Sequence, residues 1–172
     1  GGAITNDATL ANKMAMSARH GGLKKGDHHI EGINSRLDGL QAAILSVKLP
    51  HLKSWTKSRQ RIANAYSSRL MEVANIQVPF ASDFTEHVYH LYVLKTNQRD
   101  ELANYLKQHN VQTVINYPVA LPFLPAYKRL NYSPADFPNA FANQSKVLSL
   151  PIYPEMPADQ VEQVISLVSE FK

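Results

Sequence analysis

"GINSRLDGLQAAILSVKL", residues 32–49, joins a polar turn to an apolar helix, and the rest of the chain is read outward from that junction. Gly32, Asn34 and Arg36 form the turn-prone approach, and Ser35 with Asp38 makes an S-x-x-D capping pattern that predicts a helix beginning near Arg36. Leu37, Leu40, Ile44 and Val47 then repeat at the helical period. Pro50 interrupts the pattern and Leu52, Trp55, Ile62, Tyr66 and Leu70 resume it, so residues 36–72 read as one long bent helix or two nearly collinear ones. A Ser cap alone does not call for an Asn and an Arg on either side of it. An amide donor and a bidentate cation beside a helix N-terminus suit an oxyanion such as phosphate. The alternative is that Asn34 supports the turn and Arg36 pairs with Asp38 or another carboxylate.

Upstream, "AIT" at residues 3–5 reads as a short strand, and Asn6 or Asp7 caps a helix carrying Leu10, Met14 and Ala18 on one stripe. The lone strand has no obvious partner in the chain, as if it belonged to a larger sheet. Downstream, "HVYHLYVL", residues 87–94, is rich in aromatic and β-branched residues and predicts a buried strand. Residues 98–109 predict a helix and "VQTVINY", residues 111–117, a further strand, giving a βαβ-like unit. Prolines punctuate residues 118–138, which leaves a loop with helical turns near residues 126–130. A helix over 139–146, a short strand "VLSLP" and an amphipathic helix bearing Val161, Val164, Ile165, Val168 and Phe171 close the chain. The expected fold class is α+β, a small mixed sheet covered by helices and preceded by a long helix.

The 172 residues are 44% hydrophobic and 19% charged, enough for one buried core. With no cysteine, disulfides, thiolate metal sites and cysteine nucleophiles are excluded, and a cytoplasmic setting is expected. No apolar run approaches a membrane span and the first residues carry no signal-peptide pattern, so no membrane partner is expected. The net charge of +4 is scattered over helix faces, which argues against nucleic acid. The densest basic patch, "RHGGLKKGDHH" at residues 19–29, is a Gly-broken loop suited to a small anion.

Of the seven histidines, His87 and His90 fall on opposite faces of the expected strand, and His28 and His29 lack nearby ligands, so no metal site is predicted. Walker, dinucleotide and nucleophile-elbow motifs are all missing. Lys13, Lys24 and Lys25 have nothing nearby to desolvate them as Schiff-base nucleophiles.

"GGAITND", "HGG", "GINSRLDGLQAAIL", "KLPHLKSWTKSRQRIANAYSSRL", "HVYHLYVL", "INYPVALPFLPAY", "FPNA" and "LSLPIYPEM" occur in this order. In that series the chain resembles, nearly end to end, the DegT/DnrJ/StrS group of pyridoxal-phosphate sugar aminotransferases. The resemblance implies the C-terminal part of an aspartate-aminotransferase (fold type I) architecture acting on nucleotide-linked keto sugars, with glutamate as amino donor. It implies a remnant of the large cofactor domain and an active-site loop over residues 1–35, a connecting helix over 36–73 and a small domain over 74–172. It also implies that the catalytic lysine lies upstream of "GGAITND", so that the chain alone is expected to be inactive and to bind pyridoxal phosphate without specificity. A homo-oligomer is expected, with Asn34 reaching across a dimer interface to the cofactor phosphate of the neighbouring subunit. Substrate contacts are implied for Arg36, Tyr117, His20 and His29. Asn116 stands where many relatives have His, and it brings a neutral side chain to that contact. The competing readings are a non-catalytic binding or assembly module and a pyridoxal-phosphate-dependent regulator.

Overall fold

The computed structural model describes residues 2–171 and divides into two compact units, Gly1–Pro50 and His51–Lys172. In the first unit, residues 3–5 form no strand and no bridge among the described residues, so the expected strand is not formed. Three residues without a ladder cannot satisfy their backbone groups as a sheet does. Helix α1, Ala8–Ser17, follows, and of the two candidate caps Asp7 is the one used: its carboxylate accepts from the Thr9 and Leu10 amides at 2.8 and 3.1 Å.

The chain then folds back on the end of α1. The His20 amide donates to the Ile33 carbonyl, the Ile33 amide to Ser17 and the Ser35 amide to Ala18, at 3.0, 2.8 and 3.0 Å. Because Ser35 is held there, it cannot cap a helix at Arg36. Helix α2 instead spans Gly39–Lys48, three residues later than expected, with the Asp38 carboxylate accepting from the Gln41 amide at 2.8 Å. No residue of α2 is buried, and Leu40 and Val47 are 74% and 72% exposed.

At Pro50, which has no N–H to continue the helical ladder, Leu49–His51 form a 3-10 turn. Helix α3, Leu52–Leu70, begins after it, so the expected helical interval is two helices with a break between them. Within the second unit α3 contributes Ile62, Ala63, Tyr66 and Leu70 to the core. The sheet contributes Tyr92, Leu94, Leu148 and Leu150, helix α4 (Arg99–Gln108) contributes Leu102 and Leu106, and helix α6 (Ala158–Glu170) contributes Val161, Val164, Ile165 and Val168. Full burial of each such aliphatic side chain is worth about 1.5–3 kcal/mol. The short helix α5, Pro138–Gln144, and 3-10 turns at Leu121–Phe123 and Pro125–Leu130 occupy the proline-rich stretch.

Strands β1, Tyr92–Lys95, and β2, Val147–Leu150, pair antiparallel with Tyr92 opposite Leu150 and Lys95 opposite Val147. Isolated bridges extend them on both sides, Gln77 to Lys95 and Val114 to Ser149. Every pairing in this sheet is antiparallel, so Val114 and β1 run in the same direction with β2 between them. The expected βαβ-like unit is therefore split by β2 rather than paired directly.

Two strands are shorter than the sequence suggests. Residues 87–91 are not in the ladder, because Tyr89 has a left-handed φ of 48° and its amide donates to His87 Nδ1 at 3.0 Å. The half-buried Arg59 donates to the carbonyls of Tyr89, His90 and Ile152 at 3.3, 3.2 and 2.8 Å, occupying acceptors that a strand would have offered to a neighbour. Residues 111–117 are likewise reduced to the single bridge at Val114. Among the described residues no helix is long and apolar enough to cross a membrane.

Candidate functional site

The loop between α1 and α2 has a backbone that admits few substitutions. Gly21 has φ +92°, and a Cβ there would lie 1.6 Å from the Ile30 carbonyl oxygen; one on Gly32 would lie 2.3 Å from the Gly21 nitrogen. His20, at φ 60°, carries the turn into this close packing. The "HGG" motif and Gly32 of the opening stretch are thus two halves of one tight crossing, which sets the direction of the residues around it.

That crossing frames an open cleft of about 960 Å³ in the first unit, lined by Arg19, His20, Lys24, Lys25, His28 and Arg36 among others. Among the described residues no carboxylate lines it. A concave site with cations on several sides and no anion favours a multiply charged oxyanion. Arg36 does not pair with Asp38. Its Nε donates to Asn34 Oδ1 at 3.0 Å. An arginine Nε–H can only donate, so the Asn34 amide must present its oxygen to Arg36, which leaves its Nδ2 hydrogens as the donors it can offer a ligand. Asn34 and Arg36 therefore form one unit, an amide donor oriented by a cation that itself lines the cleft.

His29, expected as a substrate contact, instead pairs with Asp27 at 2.9 Å, and of the two adjacent histidines it is His28 that lines the cleft. The two are adjacent in an irregular loop, where the sequence gives no way to choose between them. The Asp two residues before His29 was the available signal.

Asn116 and Tyr117 belong to the second unit. Asn116 Oδ1 accepts from Ser149 Oγ at 3.0 Å, and Tyr117 is 73% exposed beside a shallow apolar pocket of about 330 Å³ formed with Pro118, Val119, Leu121 and Leu124. Ser149 is a residue that sequence reading does not single out: it lies within the short strand β2, where a serine reads as a small core residue. His87, which the sequence placed on a strand, is tied locally to Tyr89 through both its ring nitrogen and a ring contact with centroids 4.2 Å apart.

The sequence profile of the DegT/DnrJ/EryC1/StrS aminotransferase family matches residues 1–169. The chain belongs to this family. Among proteins similar to this DegT/DnrJ/EryC1/StrS chain is a dTDP-3-amino-3,6-dideoxy-alpha-D-galactopyranose transaminase from Aneurinibacillus thermoaerophilus, 39% identical over 99% of the chain and 47% of the relative. A pleiotropic regulatory protein from Geobacillus stearothermophilus is 39% identical over 98% of the chain and 46% of the relative. The crystal structure of DesV from S. venezuelae superimposes with a TM-score of 0.91 at 36% identity, covering 97% of this chain and 45% of that one. The chain spans about half the length of the relatives it matches. Its α+β fold is that of a portion of these aminotransferases.

Proposed function

We propose that the chain is the C-terminal part of a pyridoxal-phosphate-dependent aminotransferase that acts on nucleotide-linked keto sugars, with glutamate as amino donor. The observation that carries this reading is the Asn34–Arg36 hydrogen bond, which ties the Asn34 amide to a cation that lines a basic cleft. The residues fit one half of a pyridoxal-phosphate site. Asn34 would donate to the cofactor phosphate across a homodimer interface, and Arg36 and His20, which line the basic cleft, would contact the substrate. In the second unit, Asn116 and Tyr117 are proposed separately as substrate contacts. The other half needs a desolvated lysine, and none of the described lysines is buried. As the family resemblance implies, we place the catalytic lysine in a preceding domain of the full-length enzyme. Bound there, pyridoxal phosphate supplies the electron sink for amino-group transfer. In that reaction the role proposed for this chain's own residues is to bind and orient.

In the full-length enzyme, Asn34→Ala should weaken pyridoxal phosphate binding by about 1–3 kcal/mol, the usual worth of a hydrogen bond to a charged group. Asn34→Asp should weaken it further, because a carboxylate would then face the phosphate. An unchanged cofactor dissociation constant in both variants would remove Asn34 from the site. A second reading, a pyridoxal-phosphate-dependent regulator, is favoured by the regulatory protein among the similar sequences. Glutamate-dependent amination of a dTDP-linked keto sugar by the full-length protein separates the two. Cofactor binding without turnover supports the regulator.

A further inference from the structure

Ser149 has one direction in which to act. Its amide donates to the Val114 carbonyl at 2.8 Å, its carbonyl accepts from the Val114 amide at 3.2 Å, and it stands opposite Val93 in the β1–β2 ladder. The backbone is thus held on both sides. The residue is only 4% exposed, so its hydroxyl proton must be given to a protein acceptor rather than to bulk water. The acceptor within reach is Asn116 Oδ1 at 3.0 Å.

We infer that Ser149 is a positioning residue that fixes the Asn116 carboxamide with its oxygen inward and its Nδ2 hydrogens outward, as a donor for a substrate oxygen. This rests on the reading of Asn116 as a substrate contact. A freely rotating amide offers an oxygen or an NH2 to a ligand; one whose oxygen is held by a buried hydroxyl offers only the NH2. The site therefore selects an acceptor at this point, such as a phosphoryl, carbonyl or hydroxyl oxygen. It does so with a group that carries no charge, so this contact does not change across neutral pH, where an imidazole would titrate.

The test is NMR relaxation of the Asn116 side-chain amide in the ligand-free chain, for the wild type, Ser149→Ala and Ser149→Thr. The wild type and Ser149→Thr, which both carry the hydroxyl, should show an Asn116 Nδ2 nearly as ordered as the neighbouring backbone amides, and in Ser149→Ala its order parameter should fall well below theirs. Unchanged backbone amides of Val93 and Val114 in Ser149→Ala show that the sheet is intact, so that the loss is one of positioning. An Asn116 amide equally mobile with and without the hydroxyl overturns the inference. If Ser149→Thr is disturbed by its added methyl, the comparison of the wild type with Ser149→Ala decides alone. Titration of the full-length enzyme with dTDP or UDP tests the underlying site separately. A rigid amide that ignores both nucleotides upholds the positioning by Ser149 and overturns the placement of Asn116 at the substrate.

Discussion

Tyr92 shows how a single buried group ties stability to pH. Its ring packs edge-on to Tyr66 with centroids 5.0 Å apart, and its phenol lies 2.9 Å from Ser67 Oγ. Burial pushes the phenol up to about 12, against the lowering effect of the Ser67 hydrogen bond and with a further rise from Tyr89. Burial drives Tyr66 the same way and further. The unfolded phenol ionises near pH 10, so the folded state excludes a phenolate that the unfolded state accepts. The resulting stability is complete below pH 10 and is lost as the pH rises toward 12, with Tyr92 contributing on the order of 2–3 kcal/mol. Urea unfolding followed from about pH 8 to about pH 11 should show this decline, and Tyr92→Phe should make it shallower. An identical slope in the variant would mean that the phenol is not the group responsible.

The glycine crossing and the Arg59 clasp each decide the course of a whole segment. Gly21→Ala brings a Cβ onto the Ile30 carbonyl at a φ that L-residues avoid, and should cost about 2–4 kcal/mol locally. The His29 and Ile30 amides both donate to the Gly21 carbonyl, so their hydrogen exchange should accelerate while that of the second unit does not. Arg59→Met leaves the carbonyls of Tyr89, His90 and Ile152 without their donor, and should lower unfolding stability by about 2–3 kcal/mol. A variant with the wild-type urea midpoint would show that water replaces the guanidinium at no cost. These same features mark where sequence reading succeeds and fails. Helices α3, α4 and α6 were legible because each buries one stripe at the helical period. The strand over residues 87–94 was misjudged at its start because its fate depends on a guanidinium some thirty residues upstream, and composition carries no trace of it. Asn34 and Arg36 were singled out in the sequence, but their hydrogen bond to each other was not, and the Asn116–Ser149 pair spans 33 residues.

For the molecule as a whole, the unburied α2 matters most. Leu40, Ile44 and Val47 follow one another at the helical period and are all exposed, with Leu37 and Leu49 close by in sequence. These residues repeat at the helical period, and within the described residues nothing buries them. Apolar surface of this extent is ordinarily covered by another molecule or domain. The isolated chain should therefore self-associate. Light scattering should give a mass above that of one chain at micromolar concentration, and Ile44→Glu should reduce it. A clean monomer for the wild type over a wide concentration range would rule out α2 as a self-association face.

The position of β2 between β1 and the Val114 bridge also orders events in time. A ribosome delivers β1, α4 and Val114 well before Ser149, and although Lys95 of β1 already has its bridge to Gln77, Val114 has no sheet partner until β2 is made. The core then still lacks Val161, Val164, Ile165 and Val168 from α6. Contacts this distant in sequence carry a loop-closure cost that the single earlier bridge from Gln77 to Lys95 offsets only in part. The second unit is thus committed to folding late in synthesis, and until residue 168 has emerged its aromatic and aliphatic segments remain available to chaperones.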